Sequence, residues 1–93
     1  MSLQPEHHNP YYSVAGIVVH CLPHNSQALI KRLTGLHGVE VHGDGLEGKL
    51  VVTVEEQPGE KFIIDRISEI NNSQGVVNTA LVYSQSESTQ EPS

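Results

Sequence analysis

The segment Ser13–Leu22, SVAGIVVHCL, is apolar on both parities of a strand. One parity gives Ala15, Ile17, Val19 and Cys21; the other gives Val14, Gly16, Val18 and His20. Successive side chains of a strand point to opposite faces of its sheet, and a half-solvated strand alternates apolar with polar residues. This strand therefore needs something against each face. Yet the chain has only 93 residues, one domain's worth, and small domains bury a lower share of their surface than large ones. A single layer of helices covers one face of a sheet, and the other face needs an occupant.

The rest of the chain supplies that single layer. Pro23 ends the first strand, and Asn25 or Ser26 can cap a helix. Leu29, Leu33 and Leu36, with Ile30 beside them, mark an amphipathic helix. Gly35 and Gly38 punctuate its exit. Val39–His42 alternates and reads as a short second strand; Lys49–Glu55 reads as a third, across a glycine-rich turn at Gly43-Asp44-Gly45. Pro58 suits the first position of a second helix, whose buried stripe is Ile63, Ile67 and Ile70. Val76–Tyr83 is the fourth strand. Each helix is followed by Gly-Val and a strand, at Gly38-Val39 and Gly75-Val76.

This βαββαβ order predicts an α+β, ferredoxin-like fold: a four-stranded antiparallel sheet with two helices on one face. The expected domain spans residues 13–85, between a flexible N-terminal tail at 1–12 and a disordered C-terminal tail at 86–93, both polar and without periodicity. In a regular register without bulges, the helix side takes Ala15, Ile17, Val19, Val39, Val41, Leu50, Val52, Val54, Val77, Leu81 and Tyr83. The open side then presents Gly16, Val18, His20, Glu40, His42, Val51, Thr53, Glu55, Asn78, Ala80 and Val82. That surface is half apolar, with small residues near its centre and carboxylates around it. It suits an apolar partner that carries positive charge. Exposed valines are also ordinary, and a weak homodimer through the open face explains them equally well.

The charge balance excludes one class of partner. Five basic and eleven acidic residues give a net charge of −6, and Lys31-Arg32 is the lone adjacent basic pair. Phosphate contacts need positive charge, so nucleic acid is not expected. The first ten residues lack a hydrophobic segment of the signal-peptide kind, and no apolar run approaches the ~20 residues that span a bilayer. A single cysteine permits no internal disulfide. A cytoplasmic protein without membrane insertion is expected.

Enzyme chemistry finds no support in the motifs. Zinc needs three or four converging ligands, and none of the six histidines has strong ligand spacing with another. His20 and His42 would face each other only if the first two strands were neighbours. Cys21 lies on the opposite parity from His20 and reads as a small core residue. Gly43-Asp44-Gly45 is explained by the hairpin turn. Glu55-Glu56 reads as a solvated strand end, able to meet arginines on a partner. Other ferredoxin-like modules fit poorly: no aromatic platform for RNA stands on the central strands, and no Cys-x-x-Cys pair is present. An ACT-like small-molecule-sensing domain is the alternative that remains.

Several short blocks, in order and at matching spacing, resemble the NapD family. They are Gly16-Ile17-Val18-Val19-His20, Gly38-Val39-Glu40-Val41, Gly48–Glu55, and Gly75-Val76-Val77 through Leu81-Val82-Tyr83. Together they span nearly all of residues 13–85, and the polar, acidic tail after Tyr83 is similar too. The resemblance implies a cytoplasmic chaperone of the periplasmic nitrate reductase catalytic subunit, without catalysis or bound cofactor. It implies binding of the precursor's twin-arginine signal peptide, aid to maturation, and delay of export until the cofactors are in place. The expected contacts are Gly16, Val18, His20, Glu40, Val51, Thr53, Glu55, Ala80 and Val82. The small Gly16 and Ala80 would admit a close backbone, and Glu40, Glu55 or Glu56 would receive the arginines. Strand addition at a sheet edge is the competing mode.

Overall fold

The computed structural model describes residues 11–88. The expected tails fall largely on residues 1–10 and 89–93, which lie outside the described residues. Strand β1 spans Tyr11–Cys21, and a 3-10 turn at Pro23–Asn25 leads into helix α1, Ser26–Thr34. Strands β2 (Val39–His42) and β3 (Lys49–Glu56) form a hairpin; helix α2 (Ile63–Asn71) and strand β4 (Val76–Ser88) complete the expected order. β1 therefore starts earlier and β4 ends later than the sequence suggests, because Tyr11↔Ser88 and Tyr12↔Glu87 continue their ladder. Tyr12 and Glu87, expected in the tails, are strand residues.

The sheet order is β2-β3-β1-β4, all antiparallel. β2 and β4 are the edges. β3 separates β1 from β2, so His20 pairs with Lys49 and His42 with Val51; the two histidines do not face each other. One parity of the strands forms the core: Ile17, Val19, Cys21, Leu50, Val52 and Val54 cluster with Leu29 and Leu33 of α1 and Ile70 of α2. Both helices therefore cover the same face. Burial of Leu29 and Leu33 reflects their spacing of one helical turn. Leu36, expected on the helix, packs against the core from the loop beyond it.

The regular register fails at two places in β4. Bulges between Gly16 and Ile17, and between His20 and Cys21, each leave one extra residue on β4. A bulge re-aims the side chains around it. Val76, opposite Cys21, packs on the core, while Val77 is the unpaired residue and 62% exposed. Leu81, opposite Ile17, is 61% exposed on this edge strand rather than buried. Tyr83 crosses from the expected helix side to the open side, opposite Gly16.

The helix starts also differ from expectation. Asn25 stands at the N-cap of α1 but makes no side-chain cap bond. Ser26 is buried beside Gly45, its hydroxyl without a partner. Pro58 belongs to a turn rather than to α2. α2 is capped from outside by Glu56 at the end of β3, whose Oε2 accepts the backbone N–H groups of Phe62 and Ile63. A carboxylate at a helix N-terminus satisfies orphan donors and complements the macrodipole. Glu56 is thus a buried structural group (6% exposed), not a solvated strand end.

The junction before β2 requires glycine. Gly38 has φ +81°, its carbonyl accepts the Glu55 N–H at 2.8 Å, and an added Cβ would lie 2.6 Å from the Glu55 carbonyl oxygen. Gly75, before β4, repeats the positive φ at +93°. The repeated Gly-Val in the sequence marks this shared helix-to-strand junction.

Candidate functional site

The open face follows from the register. From the hairpin end inward, its rows are Lys49–His20–Asn78, then His42–Val51–Val18–Ala80, then Glu40–Thr53–Gly16–Tyr83. Glu55–Val14–Gln85 follow, and Tyr12–Glu87 close the far end. No helix covers this parity. Val18, Val51 and Ala80 form the apolar centre, where Val51 is 46% exposed and Val18 half-buried.

The sequence-predicted residues divide accordingly. Val18, His20, Val51, Thr53, Ala80, Glu40 and Glu55 lie on the open face, Glu40 on edge strand β2. Gly16 also lies there, but its space is filled: an added Cβ would stand 2.3 Å from Tyr83 Cε2. Gly16 admits the Tyr83 ring rather than an incoming backbone. Val82, expected on the open face, is the unpaired residue of the bulge and 61% exposed, and Tyr83 rather than Val82 stands opposite Gly16. Glu56, the other expected acceptor of arginine, points to the helix side.

Sequence reasoning missed Tyr12, Tyr83, Leu46 and Glu87. Tyr12 was legible, because it extends the parity of Val14, Gly16 and Val18. Tyr83 was not, because its face depends on the bulge. Desolvation, followed by the charge and hydrogen bond of Glu55, pushes the Tyr12 phenol above its ordinary value. The loop of the β2–β3 hairpin adjoins the opposite end of the face. There a cleft of about 510 Å³ is lined by Val18, Val51, His42, Lys49 and the loop residues Asp44 and Leu46, among others. Asp44 accepts the Leu46 N–H at 3.0 Å, which holds the loop, and Leu46 is 62% exposed.

Other chemistry-bearing groups are placed elsewhere. Cys21 is buried, and burial pushes its thiol up. Among the described residues no three His, Cys, Asp or Glu side chains converge as metal ligands. His37 bonds Glu60 at 2.8 Å near the start of β2, where Arg66 stacks 4.6 Å from the Phe62 ring. No helix among the described residues is long and apolar enough to cross a membrane.

These features define a class: a ferredoxin-like α+β domain that offers a partner an exposed, partly apolar sheet face edged by carboxylates. The NapD protein family model matches residues 12–88, and the chain belongs to the NapD family. Its fold matches the solution structure of the E. coli Tat proofreading chaperone NapD with a TM-score of 0.69, at 30% identity, over 88% of this chain and 86% of that one. No curated protein gives a significant match. Family and neighbour together support a chaperone role, and they set the chain apart from the ACT-like alternative.

Proposed function

We propose that the protein is a cytoplasmic, non-enzymatic chaperone that binds the twin-arginine signal peptide of a periplasmic nitrate reductase precursor. Binding aids maturation and holds back export until the cofactors are loaded. The observation that carries this reading is the uncovered sheet face, with Val18, Val51 and Ala80 at its centre and Glu40 and Glu55 beside them. A peptide with two arginines followed by an apolar stretch has the complementary chemistry. Its apolar side chains leave water against the valines, and its guanidiniums meet carboxylates that can bind them bidentately. Membership of the NapD family and likeness to a Tat proofreading chaperone support the same reading.

The test is calorimetric titration with a synthetic signal peptide and with a variant carrying glutamine for both arginines. Tight binding that weakens in the variant is expected. The Val18→Asp/Val51→Asp double variant, on the side away from the core, should fold and lose binding. Unchanged affinity in that folded variant removes the open face from the mechanism. No binding by folded wild-type protein removes the peptide.

A further inference from the structure

The two ends of the open face differ, and a peptide whose ends also differ can distinguish them. We propose that the sheet fixes the direction of the bound signal peptide: its arginines sit where Tyr12, Glu55, Tyr83 and Glu87 meet, and its apolar segment runs across Val18 toward Leu46 in the hairpin loop. This rests on the peptide-docking reading above.

Charge separates the ends. Glu55 and Glu87 lie at the far end, with Glu40 in the next row, and none of these rows carries a lysine or arginine on the open parity. At the hairpin end Lys49 pairs with His20 and His42 stands beside Val51, so the loop carboxylates Asp44 and Glu47 share that end with a lysine, and Asp44 also holds the Leu46 N–H. A reversed peptide would set its arginines beside Lys49 and its apolar side chains among carboxylates. Like charges brought together at an interface select against that orientation.

Aromatic placement points the same way. The bulge lays Tyr83 onto Gly16 with 43% of its surface exposed, and Tyr12 lies within electrostatic reach of Glu55, Glu87 and Tyr83 in the adjoining rows. A guanidinium favours an aromatic face with a carboxylate at its edge. The protein uses that arrangement internally: Arg66 stacks 4.6 Å from Phe62 while bonding Glu69 at 2.9 Å. The hairpin end instead offers the 510 Å³ cleft with exposed Leu46. Tyr12 and Val18 are separated by six strand positions, roughly 20 Å at the usual rise. A helix covers that distance in about 13 residues, a length an apolar segment behind two arginines can supply.

The test uses the full chain, isotopically labelled, and a synthetic signal peptide with a nitroxide before its arginines or at its apolar end. The first label should broaden the amide signals of Gln85 and Glu87 and spare Gly43–Glu47; the second should do the opposite. A reversed pattern, or equal broadening at both ends, overturns the direction while leaving the docking reading standing. Broadening confined to α1 and α2, or no binding, overturns both. The Glu55→Gln/Glu87→Gln variant should bind the arginine peptide about tenfold more weakly and the glutamine peptide as before. An equal loss for both peptides assigns the carboxylates no part in arginine recognition.

Discussion

Adjacent glutamates on β3 have opposite assignments, and Glu56→Ala tests the division. The Glu56 side chain is 6% exposed, and one of its oxygens accepts both the Phe62 and Ile63 N–H groups at the start of α2, the latter at 2.8 Å. Removing it leaves two part-buried donors without their acceptor. A hydrogen bond to a charged group contributes ~1.5–3 kcal/mol, and loss of a helix cap costs ~0.5–2 kcal/mol. Both bonds end on one oxygen, so they do not add; the expected loss is about 2–3 kcal/mol. That is a large part of the ~5–15 kcal/mol holding a typical domain folded. Small proteins lose ~1–3 kcal/mol per molar urea. Taking the lower part of that range for so short a chain, the urea midpoint by circular dichroism should fall by about 2 M. Glu56→Gln keeps one acceptor oxygen and should lose about half as much.

Glu55→Gln is the matched comparison. Its carboxylate faces the open side toward Tyr12, and such surface changes fall within ~0.5 kcal/mol. Folded Glu56→Gln should retain peptide affinity, whereas Glu55→Gln should weaken it. A Glu56→Ala midpoint equal to wild type, or a Glu55→Gln variant that is the less stable of the two, would refute the division of roles.

Three further outcomes follow from the same contacts. Gly16→Ala forces the Tyr83 ring off the sheet; moving ~100 Å² of ring surface into water costs at most ~2.5 kcal/mol, against a gain of ~0.5–1 kcal/mol from replacing glycine. The net loss of about 1–2 kcal/mol should vanish when Gly16→Ala is made on a Tyr83→Ala background, and an undiminished loss there would mean the ring is not the obstacle. Cys21, 4% exposed with its thiol pushed up by burial, should react with iodoacetamide only as fast as the domain opens; faster alkylation would place it at the surface. Glu60 is held below its ordinary 4.5, first by the Gln57 N–H and then by His37. A depressed carboxylate contributes stability that is present above the ordinary value and lost as pH falls through the folded one. Wild type should therefore lose its advantage over Glu60→Gln as pH drops below about 4.5, and a constant difference between the two urea midpoints would contradict this.

The fold was legible because its signals are periodic. Leu29 and Leu33, the parity of Ile17, Val19 and Cys21, and the Gly-Val at each helix exit all repeat at the spacing their element imposes. What escaped has no period. The bulges in β4 arise from pairing with β1, and nothing in VVNTALVY marks which residue will be skipped. One skipped residue changes the face of everything beyond it, which is why Tyr83 moved from the expected core to the open face and Gly16 lost its assumed role. Glu56 escaped for a different reason. Its partners are the N–H groups of residues six and seven positions later, a contact made by the loop's path rather than by strand alternation.

The same bulges bear on self-association through the exposed edge. β4 is a long edge strand that carries Val77, Leu81, Val82 and Tyr83, all exposed, with no lysine, arginine or proline between Val76 and Ser88. Flat edges of that composition pair with other chains. Two interruptions within the strand keep the edge from offering a continuous flat ladder, and the carboxylates of Glu55 and Glu87 repel an identical face brought against this one. Those carboxylates lie where the bound arginines are placed by the proposal above. One set of charges would then both discourage self-association and select a cationic partner. Glu55→Gln/Glu87→Gln, which removes both carboxylates from the face, should therefore self-associate more readily than wild type at millimolar concentration, as read by sedimentation equilibrium. A monomeric double variant would assign the barrier to self-association to the bulged edge alone.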